Sequence, residues 1–171
     1  RARYTDVLNY VHCDNMPSYE FITVWRVKAP LERVWNEIYY SEKWPEWWRG
    51  VEEVTELKKG DDLGVGSIRR YTWKSTLPYR LRFDVETVRV EPMTVIEGIA
   101  RGELSGRGVW NIKVEGDYVT ARYDWSVDTT KAWMNLIAPL ARPLFKWNHD
   151  IVMSWGAEGL AGRLGAAVIE E

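Results

Sequence analysis

Between residues 51 and 128, apolar side chains recur at every second position, which is the spacing of β-strands with one buried face. About six strands fit this stretch, and glycines such as Gly102 and Gly116 mark the turns between them. The segment 119–127 is the clearest case, since apolar residues alternate there with polar ones without interruption. A run of strands joined by short turns predicts one antiparallel sheet.

One strand and two short helices are predicted before this region. A first strand is predicted at residues 19–28, where β-branched and aromatic side chains are frequent. Pro30 then suits the first turn of a helix, and apolar residues over 31–39 follow the spacing of one helix face. A second short helix is predicted at Trp44–Trp48, whose tryptophans share one face.

Helical spacing returns after residue 128. A long helix is predicted from about Leu144 to Leu164, with its apolar positions on one face. Pro139 and Pro143 are expected to kink or break the helical segment that comes before it. A sheet of this size has one good partner for its apolar face, namely this last helix.

The alternation of apolar residues changes phase between Val85 and Val88, which predicts a β-bulge near Thr87 that bends the sheet. We therefore expect an α+β fold. A curved antiparallel sheet of about six to seven strands wraps around the long C-terminal helix, and two short helices follow the first strand. The predicted domain spans residues 16–165, and residues 1–15 are interpreted as an N-terminal extension that need not belong to the fold.

The composition argues against several classes of partner and compartment. A net charge of −2 and a pI near 5.8 do not indicate a nucleic-acid-binding protein. No apolar run reaches the length of a membrane span, so no integral membrane segment is predicted. Cys13 is the only cysteine, which excludes a disulfide within the chain and fits a cytoplasmic protein. The sequence indicates no oligomeric state.

Eleven tryptophans in 171 residues are more large rings than a core of this size needs. Each ring is rigid and apolar and carries one polar group, so such rings suit the wall of an apolar cavity. Trp44 and Trp47 are predicted at the rim of this cavity, or alternatively as the packing that fixes the short helices on the sheet. The other predicted ligand-binding residues are Trp73, Trp110, Tyr123, Trp125, His149 and Met153.

Several short motifs occur together over residues 16–164. They are Thr23-Val24-Trp25 with Ala29-Pro30 and Val34-Trp35, the run Trp44-Pro45-Glu46-Trp47-Trp48, residues 98–110 (GIARGELSGRGVW) and residues 147–153 (WNHDIVM). With these motifs the chain resembles the START-like, helix-grip superfamily, in its polyketide cyclase/dehydrase branch. The resemblance implies a deep apolar cavity between the sheet and the long helix, used for lipids, sterols or polyketides. It implies no universal set of catalytic residues.

His149 is the first candidate for a catalytic role. It shares the apolar face of the long helix with Phe145 and Val152, so it is expected to point toward the sheet or the cavity. An imidazole there is suited to general acid–base catalysis, because its ordinary pKa is close to neutrality. The alternative is a core histidine that only holds the helix in place.

Glu97 and Tyr71 are weaker candidates. Glu97 shares a strand face with Val95 and Ile99, and a buried carboxyl group there would have a raised pKa suited to proton transfer. The favoured alternative is an outward position or an ion pair with an arginine on a neighbouring strand. The hydroxyl of Tyr71, if it points inward, would stabilise an enolate. Arg69, on the same strand, is expected at the surface with its stem buried.

A metal site is not expected, because His12 and His149 are the only histidines, and no cofactor is predicted. The predicted function is binding of a small hydrophobic ligand of lipid, sterol or polyketide type between the sheet and the last helix. Three alternatives stay open. The resemblance suggests that cyclisation or dehydration of a polyketide follows binding. The others are a carrier or sensor without catalysis, and a protein-interaction module that uses exposed aromatic residues.

Overall fold

The computed structural model describes residues 18–130 and 132–170, so the predicted extension 1–15 lies outside the described residues. The elements follow in the predicted order of strand, short helices, strands and long helix. They are β1 (Ser18–Val27), α1 (Leu31–Tyr39), a 3₁₀ turn (Ser41–Lys43), α2 (Trp44–Trp47), β2 (Val51–Lys58), β3 (Ile68–Lys74), β4 (Arg80–Glu91), β5 (Val95–Gly102), β6 (Leu104–Glu115), β7 (Tyr118–Thr129), α3 (Ala132–Leu164) and β8 (Val168–Glu170).

The strands form one eight-stranded sheet in the order β2-β3-β4-β5-β6-β7-β1-β8, in which every neighbouring pair is antiparallel. Strands β2 to β7 follow one another as a meander, and β1 closes against β7 along its full length. The predicted α+β helix-grip fold is confirmed. Strand β8 was not predicted, because three residues are too few to show a period, and it pairs with only Trp25–Val27 of β1.

The predicted bulge is present on β4. Residue Thr87 pairs with Gly98 of β5, whereas Arg89 pairs with Glu97, so one residue of β4 is extra at this point. Such an insertion bends a strand and increases its twist. The bend lies in the middle of the sheet, where it helps the sheet to close around α3.

Helix α3 extends from Ala132 to Leu164 in one piece. Of the two predicted effects of Pro139 and Pro143, a kink or a break, the break does not occur. A proline inside a helix removes one backbone N–H and crowds the carbonyl four residues earlier, which weakens the helix but does not require it to end. Twenty-one residues follow Pro143 up to Leu164, so this part is long enough to be held by tertiary packing.

The core lies between α1, α3 and one face of the sheet, called here the inner face. Trp25 on β1 and Ala121 on β7 lie on this face and are fully buried. Helix α1 contributes Val34, and α3 contributes Leu160, both without exposed surface. Burying side chains of this kind is the main favourable term in folding.

Two glycines allow α3 to pack closely on α2. A Cβ atom added to Gly156 would lie 2.6 Å from Trp48 and 2.8 Å from Trp25, and one added to Gly159 would meet the carbonyl oxygen of Trp47. The indole N–H of Trp48 also donates a hydrogen bond of 2.8 Å to the carbonyl oxygen of Val152. These contacts fix α2 against the middle of α3, next to the cavity described below.

Candidate ligand-binding site

A cavity of about 170 Å³ lies between the inner face of the sheet and α3. By the same measure one water molecule needs only about 10–15 Å³, so the space suits a larger molecule. Residues from β1, β3, β4, β6, β7, α2 and α3 line it. The described lining residues are Tyr19, Phe21, Trp44, Trp48, Trp73, Ser75, Tyr79, Leu81, Phe83, Leu104, Trp110, Tyr123, Trp125, Val127, Phe145, Asn148, His149, Val152 and Met153.

Four rings on the sheet side form an aromatic wall, made of Phe83, Trp110, Tyr123 and Trp125. Trp110 and Tyr123 pair directly across β6 and β7, with 4.5 Å between ring centroids and 24° between ring planes. Tyr123 stacks in turn on Trp125 at 5.8 Å and 19°. Nearly parallel rings on adjacent strands give the cavity a flat, apolar side.

Glycines on β5 and β6 make room for the aromatic wall. Gly98 and Gly108 pair with each other, and Gly108 also lies opposite Trp125 on β7. A Cβ atom added to Gly108 would lie 2.8 Å from the indole of Trp125, and one added to Gly98 would lie 2.5 Å from Val85. The sheet beneath the rings of the aromatic wall is therefore bare backbone at these two positions, on which large rings from neighbouring strands can lie.

Tryptophans from α2 and β3 close one side of the cavity. Trp48 packs edge-on against Trp73, with 5.3 Å between centroids and 89° between planes. Trp44 contacts both of them, at 5.0 Å from Trp48 and 6.4 Å from Trp73. Edge-to-face contacts of this kind are favourable beyond the area they bury.

Helix α3 supplies the opposite side of the cavity. Its residues Phe145, His149, Val152 and Met153 follow the spacing of one helix face and all line the cavity. His149 stacks on Phe21 of β1, with 4.1 Å between centroids and 11° between planes. This stack connects the helix to the sheet at the edge of the cavity.

His149 is neutral at neutral pH. Burial lowers the pKa of its imidazole to about 4, since only 15% of the side chain is exposed and the charged form is poorly solvated. The carboxylate of Asp150 is 3.6 Å from Nδ1, too far for a hydrogen bond, and offsets burial only in part. Both ring nitrogens are buried and have no hydrogen-bond partner among the described residues.

Most residues predicted to bind the ligand are brought together on this cavity. Seven of the eight line it, namely Trp44, Trp73, Trp110, Tyr123, Trp125, His149 and Met153. Trp47 does not line the cavity and follows the alternative prediction of helix packing: it stacks on Trp48 at 5.4 Å and 21°. Its backbone is pressed against Gly159 of α3, so Trp47 serves the packing of α2.

Tyr71 and Glu97 do not line this cavity. The hydroxyl of Tyr71 lies 2.8 Å from Oγ of Ser41, and its ring borders a second, smaller cavity of about 90 Å³. The carboxylate of Glu97 accepts a hydrogen bond of 2.7 Å from Arg107 and lies 3.8 Å from Arg89. Glu97 thus follows the favoured alternative of an ion pair across strands, and it borders the smaller cavity, not the larger one.

Arg69 departs from the expected surface position. Its side chain is only 14% exposed and borders the smaller cavity, where its guanidinium lies 3.3 Å from Glu42 and 3.6 Å from Glu56. It shares the inner face of β3 with Tyr71 and Trp73, as the strand period requires. The carboxylates of Glu42 and Glu56 neutralise the charge of Arg69.

Several lining residues were not predicted, although the alternation of side chains along their strands indicates an inward position. Tyr19 and Phe21 alternate with outward residues on β1, and Phe83 alternates on β4. Each follows from the same strand period that located Trp125. Trp48, predicted on the same helix face as Trp44 and Trp47, lines the cavity as the residue directly after α2.

Comparison with known proteins assigns the chain to a family. The family model described as "Polyketide cyclase / dehydrase and lipid transport" matches residues 27–150. The chain belongs to this family. The matched range covers the helices α1 and α2, the strands from β2 to β7 and the part of α3 that contains His149. No curated protein sequence matches the chain.

Solved structures share the fold of this member of the polyketide cyclase/dehydrase family at low sequence identity. The Zhui aromatase/cyclase from Streptomyces sp. R1128 has a TM-score of 0.65 and 15% identity, over 88% of this chain and 94% of that one. A START superfamily protein from Mycobacterium smegmatis has a TM-score of 0.65 and 17% identity, over 88% and 97%. The di-domain ARO/CYC BexL of the BE-7585A biosynthetic pathway has a TM-score of 0.64 and 17% identity, over 85% of this chain.

The chain spans 48% of the length of BexL, which contains two domains. Among the described residues, no group of three or more histidine, cysteine, aspartate or glutamate side chains is arranged to hold a metal ion. The helices in the described part of the chain are all too short or too polar to cross a membrane.

Proposed function

We propose that the protein binds a small, largely apolar ligand of lipid, sterol or polyketide type in the cavity between the sheet and α3. The observation that carries this proposal is the aromatic wall of Phe83, Trp110, Tyr123 and Trp125, which borders the open space of the cavity. Apolar walls with a few polar groups are typical of small-molecule sites. Membership of the polyketide cyclase/dehydrase family supports the same ligand class.

Burial of the tryptophans argues against a protein-interaction module. Seven of them are buried, with exposed fractions of 9% or less: Trp25, Trp35, Trp44, Trp47, Trp48, Trp110 and Trp125. Trp147 is half exposed. A surface that recognises another protein through aromatic anchors needs them accessible before binding. In this protein these seven rings face the interior.

The state of His149 argues against its use as a general base, which favours a carrier or sensor over a cyclase that depends on this residue. Proton abstraction is most efficient when the pKa of the base is near the working pH. Burial holds the pKa of His149 at about 4, which makes the imidazole a weak base, and Asp150 is too far away to activate it by a hydrogen bond. Binding without catalysis at His149 is therefore the leading form of the proposal.

Fluorescence titration with N-phenyl-1-naphthylamine, a neutral ring-containing probe, tests the proposal. We expect saturable enhancement of probe emission by the wild-type protein. Val152→Trp, which fills the cavity from α3, should abolish it. Leu144→Trp places the same side chain at an exposed position of the same helix and should leave binding unchanged. Equal binding by both variants, or none by the wild type, would refute binding in this cavity.

A turnover assay tests the second candidate function, acid–base catalysed cyclisation. Native mass spectrometry of protein purified from its own host would first identify the ligand that accompanies it. If the protein converts this ligand and His149 is not the base, His149→Phe should leave the turnover rate unchanged. A rate that collapses in His149→Phe while binding persists would instead favour a cyclase that uses this residue.

A further inference from the structure

Polar atoms without partners lie on the lining of the cavity. Oη of Tyr19, Nε1 of Trp73, and Nδ1 and Nε2 of His149 are all buried, and none has a hydrogen-bond partner among the described residues. Buried polar groups in native proteins are nearly always paired, since leaving one unpaired costs stability. Four such atoms on one cavity lining indicate that a bound molecule supplies the partners.

These atoms flank the same turn of α3. Tyr19, Phe21 and His149 form a continuous stack, with 6.1 Å between the first two centroids and 4.1 Å between the last two. On the other side, Trp73 packs on Trp48, whose N–H is bonded to the carbonyl of Val152, three residues after His149. The polar atoms thus border the part of the cavity next to residues 149–152.

The described part of this lining carries no charged side chain. None of the described lining residues is aspartate, glutamate, lysine or arginine. The guanidinium of Arg142 lies over the ring of Tyr19 at 5.9 Å, but its side chain is exposed and is not part of the lining. Lys146 is exposed and paired with Asp150 at 2.7 Å. An ionic ligand group would therefore be buried without a counter-charge, which is strongly unfavourable.

We propose that the ligand is uncharged and carries carbonyl or hydroxyl groups that are hydrogen-bonded by Trp73 on one side of the cavity and by Tyr19 and His149 on the other. The inference rests on the proposed function and narrows its ligand class. The indole of Trp73 only donates, so its partner must be an acceptor. The phenol of Tyr19 donates or accepts, and a neutral imidazole does one at each nitrogen. A ketone or a phenol meets these requirements, whereas a hydrocarbon or a carboxylate does not.

Three probes of equal ring size separate these classes: naphthalene, 2-naphthol and 2-naphthoate, each titrated by quenching of tryptophan emission. One good hydrogen bond corresponds to about tenfold in affinity. We expect 2-naphthol to bind at least about tenfold more tightly than naphthalene, and 2-naphthoate to bind at least about tenfold more weakly than 2-naphthol.

Two variants test which residues cause the preference for 2-naphthol over naphthalene. Trp73→Phe and Tyr19→Phe remove one polar atom each and should reduce the preference for 2-naphthol over naphthalene, while affinity for naphthalene changes little. Trp147→Phe makes the same exchange at a half-exposed position away from the cavity lining and should leave the preference intact. Unfolding curves of all three variants distinguish a lost contact from a lost fold.

The possible results have distinct meanings. Equal affinity for naphthalene and 2-naphthol would overturn the hydrogen-bonding role, and tight binding of 2-naphthoate would overturn the requirement for an uncharged ligand. If none of the three binds while N-phenyl-1-naphthylamine does, this inference fails and the proposed function stands. If that probe also fails to bind, both are wrong.

Discussion

The imidazole of His149 lies flat against the ring of Phe21, with 4.1 Å between their centroids and 11° between their planes. One ring belongs to α3 and the other to β1, so the pair joins the helix to the sheet beside the cavity. A neutral imidazole loses much less hydration free energy than an imidazolium when it is buried against an aromatic ring. The stack therefore depends on the protonation state of His149.

We expect the protein to lose stability as the pH falls below about 6.5. The pKa of His149 is about 4 in the folded protein and 6.5 in its ordinary state, so the unfolded chain binds more protons between these values. The free energy of unfolding should decrease by up to about 3 kcal/mol over this range through this group. Urea denaturation at a series of pH values measures the effect.

The control for this prediction is His149→Phe, which keeps a ring on Phe21 but does not titrate. Asp150 and Lys146 also lie near His149 and remain in the variant, so their own contributions are retained. The variant should lose most of the slope between pH 4 and pH 6.5 that the wild type shows. An unchanged slope would mean that other groups cause it.

Gly156→Ala is expected to destabilise the protein by about 1–3 kcal/mol, because the added methyl group would lie 2.6 Å from Trp48 and 2.8 Å from Trp25. Gly162→Ala is the matched control on the same helix, where a methyl group meets nothing within 4 Å. There the change should stabilise the helix by up to about 1 kcal/mol. Thermal or chemical unfolding measures both, and equal effects would contradict the close packing of α2 on α3.

Tyr71→Phe should reduce stability by about 1–2 kcal/mol while leaving ligand binding intact. The exchange removes the hydroxyl that lies 2.8 Å from Ser41 and leaves a buried serine oxygen unpaired. The double variant with Ser41→Ala should recover part of the loss, since neither polar group then remains. A large loss of affinity for N-phenyl-1-naphthylamine with unchanged stability would instead place Tyr71 in the binding site.

Glu97→Gln should have little effect on ligand binding and should lower stability by less than about 1 kcal/mol. Its carboxylate is paired with Arg107, which is largely exposed, so water and salt weaken the interaction. The measurement is a pair of unfolding curves at low and high salt, together with a titration of the probe. A strong loss of binding would show that Glu97 acts on the cavity in spite of its ion pair.

Much of the fold could be predicted from periodicity alone. The alternation over residues 119–127 corresponds to β7, and the change of phase near Thr87 corresponds to a real bulge, because both patterns follow from which side chains reach the core. The continuous helix through Pro139 and Pro143 could not be predicted in this way. Helix propensity describes how much a proline destabilises a helix, but tertiary packing decides whether the helix stays continuous.

The cavity was harder to predict than the sheet. Trp73, Trp110 and Trp125 were assigned to it correctly in position, because strand alternation and the α3 face constrain their direction. Trp47 was not, since a helix of four residues gives no reliable face. The unpaired atoms of Tyr19 and Trp73 have no signal in a sequence, because they are defined by what is missing around them.

The paired glycines Gly98 and Gly108 have a consequence for how such a site can diversify. Neither position accepts even a methyl group without displacing Val85 or Trp125, so the sheet beneath the aromatic wall cannot change its shape by substitution there. Val152 and Met153 of α3 are under no such backbone constraint. Descendants of this protein that acquire a different ligand should therefore accumulate substitutions on α3 and keep Gly98 and Gly108.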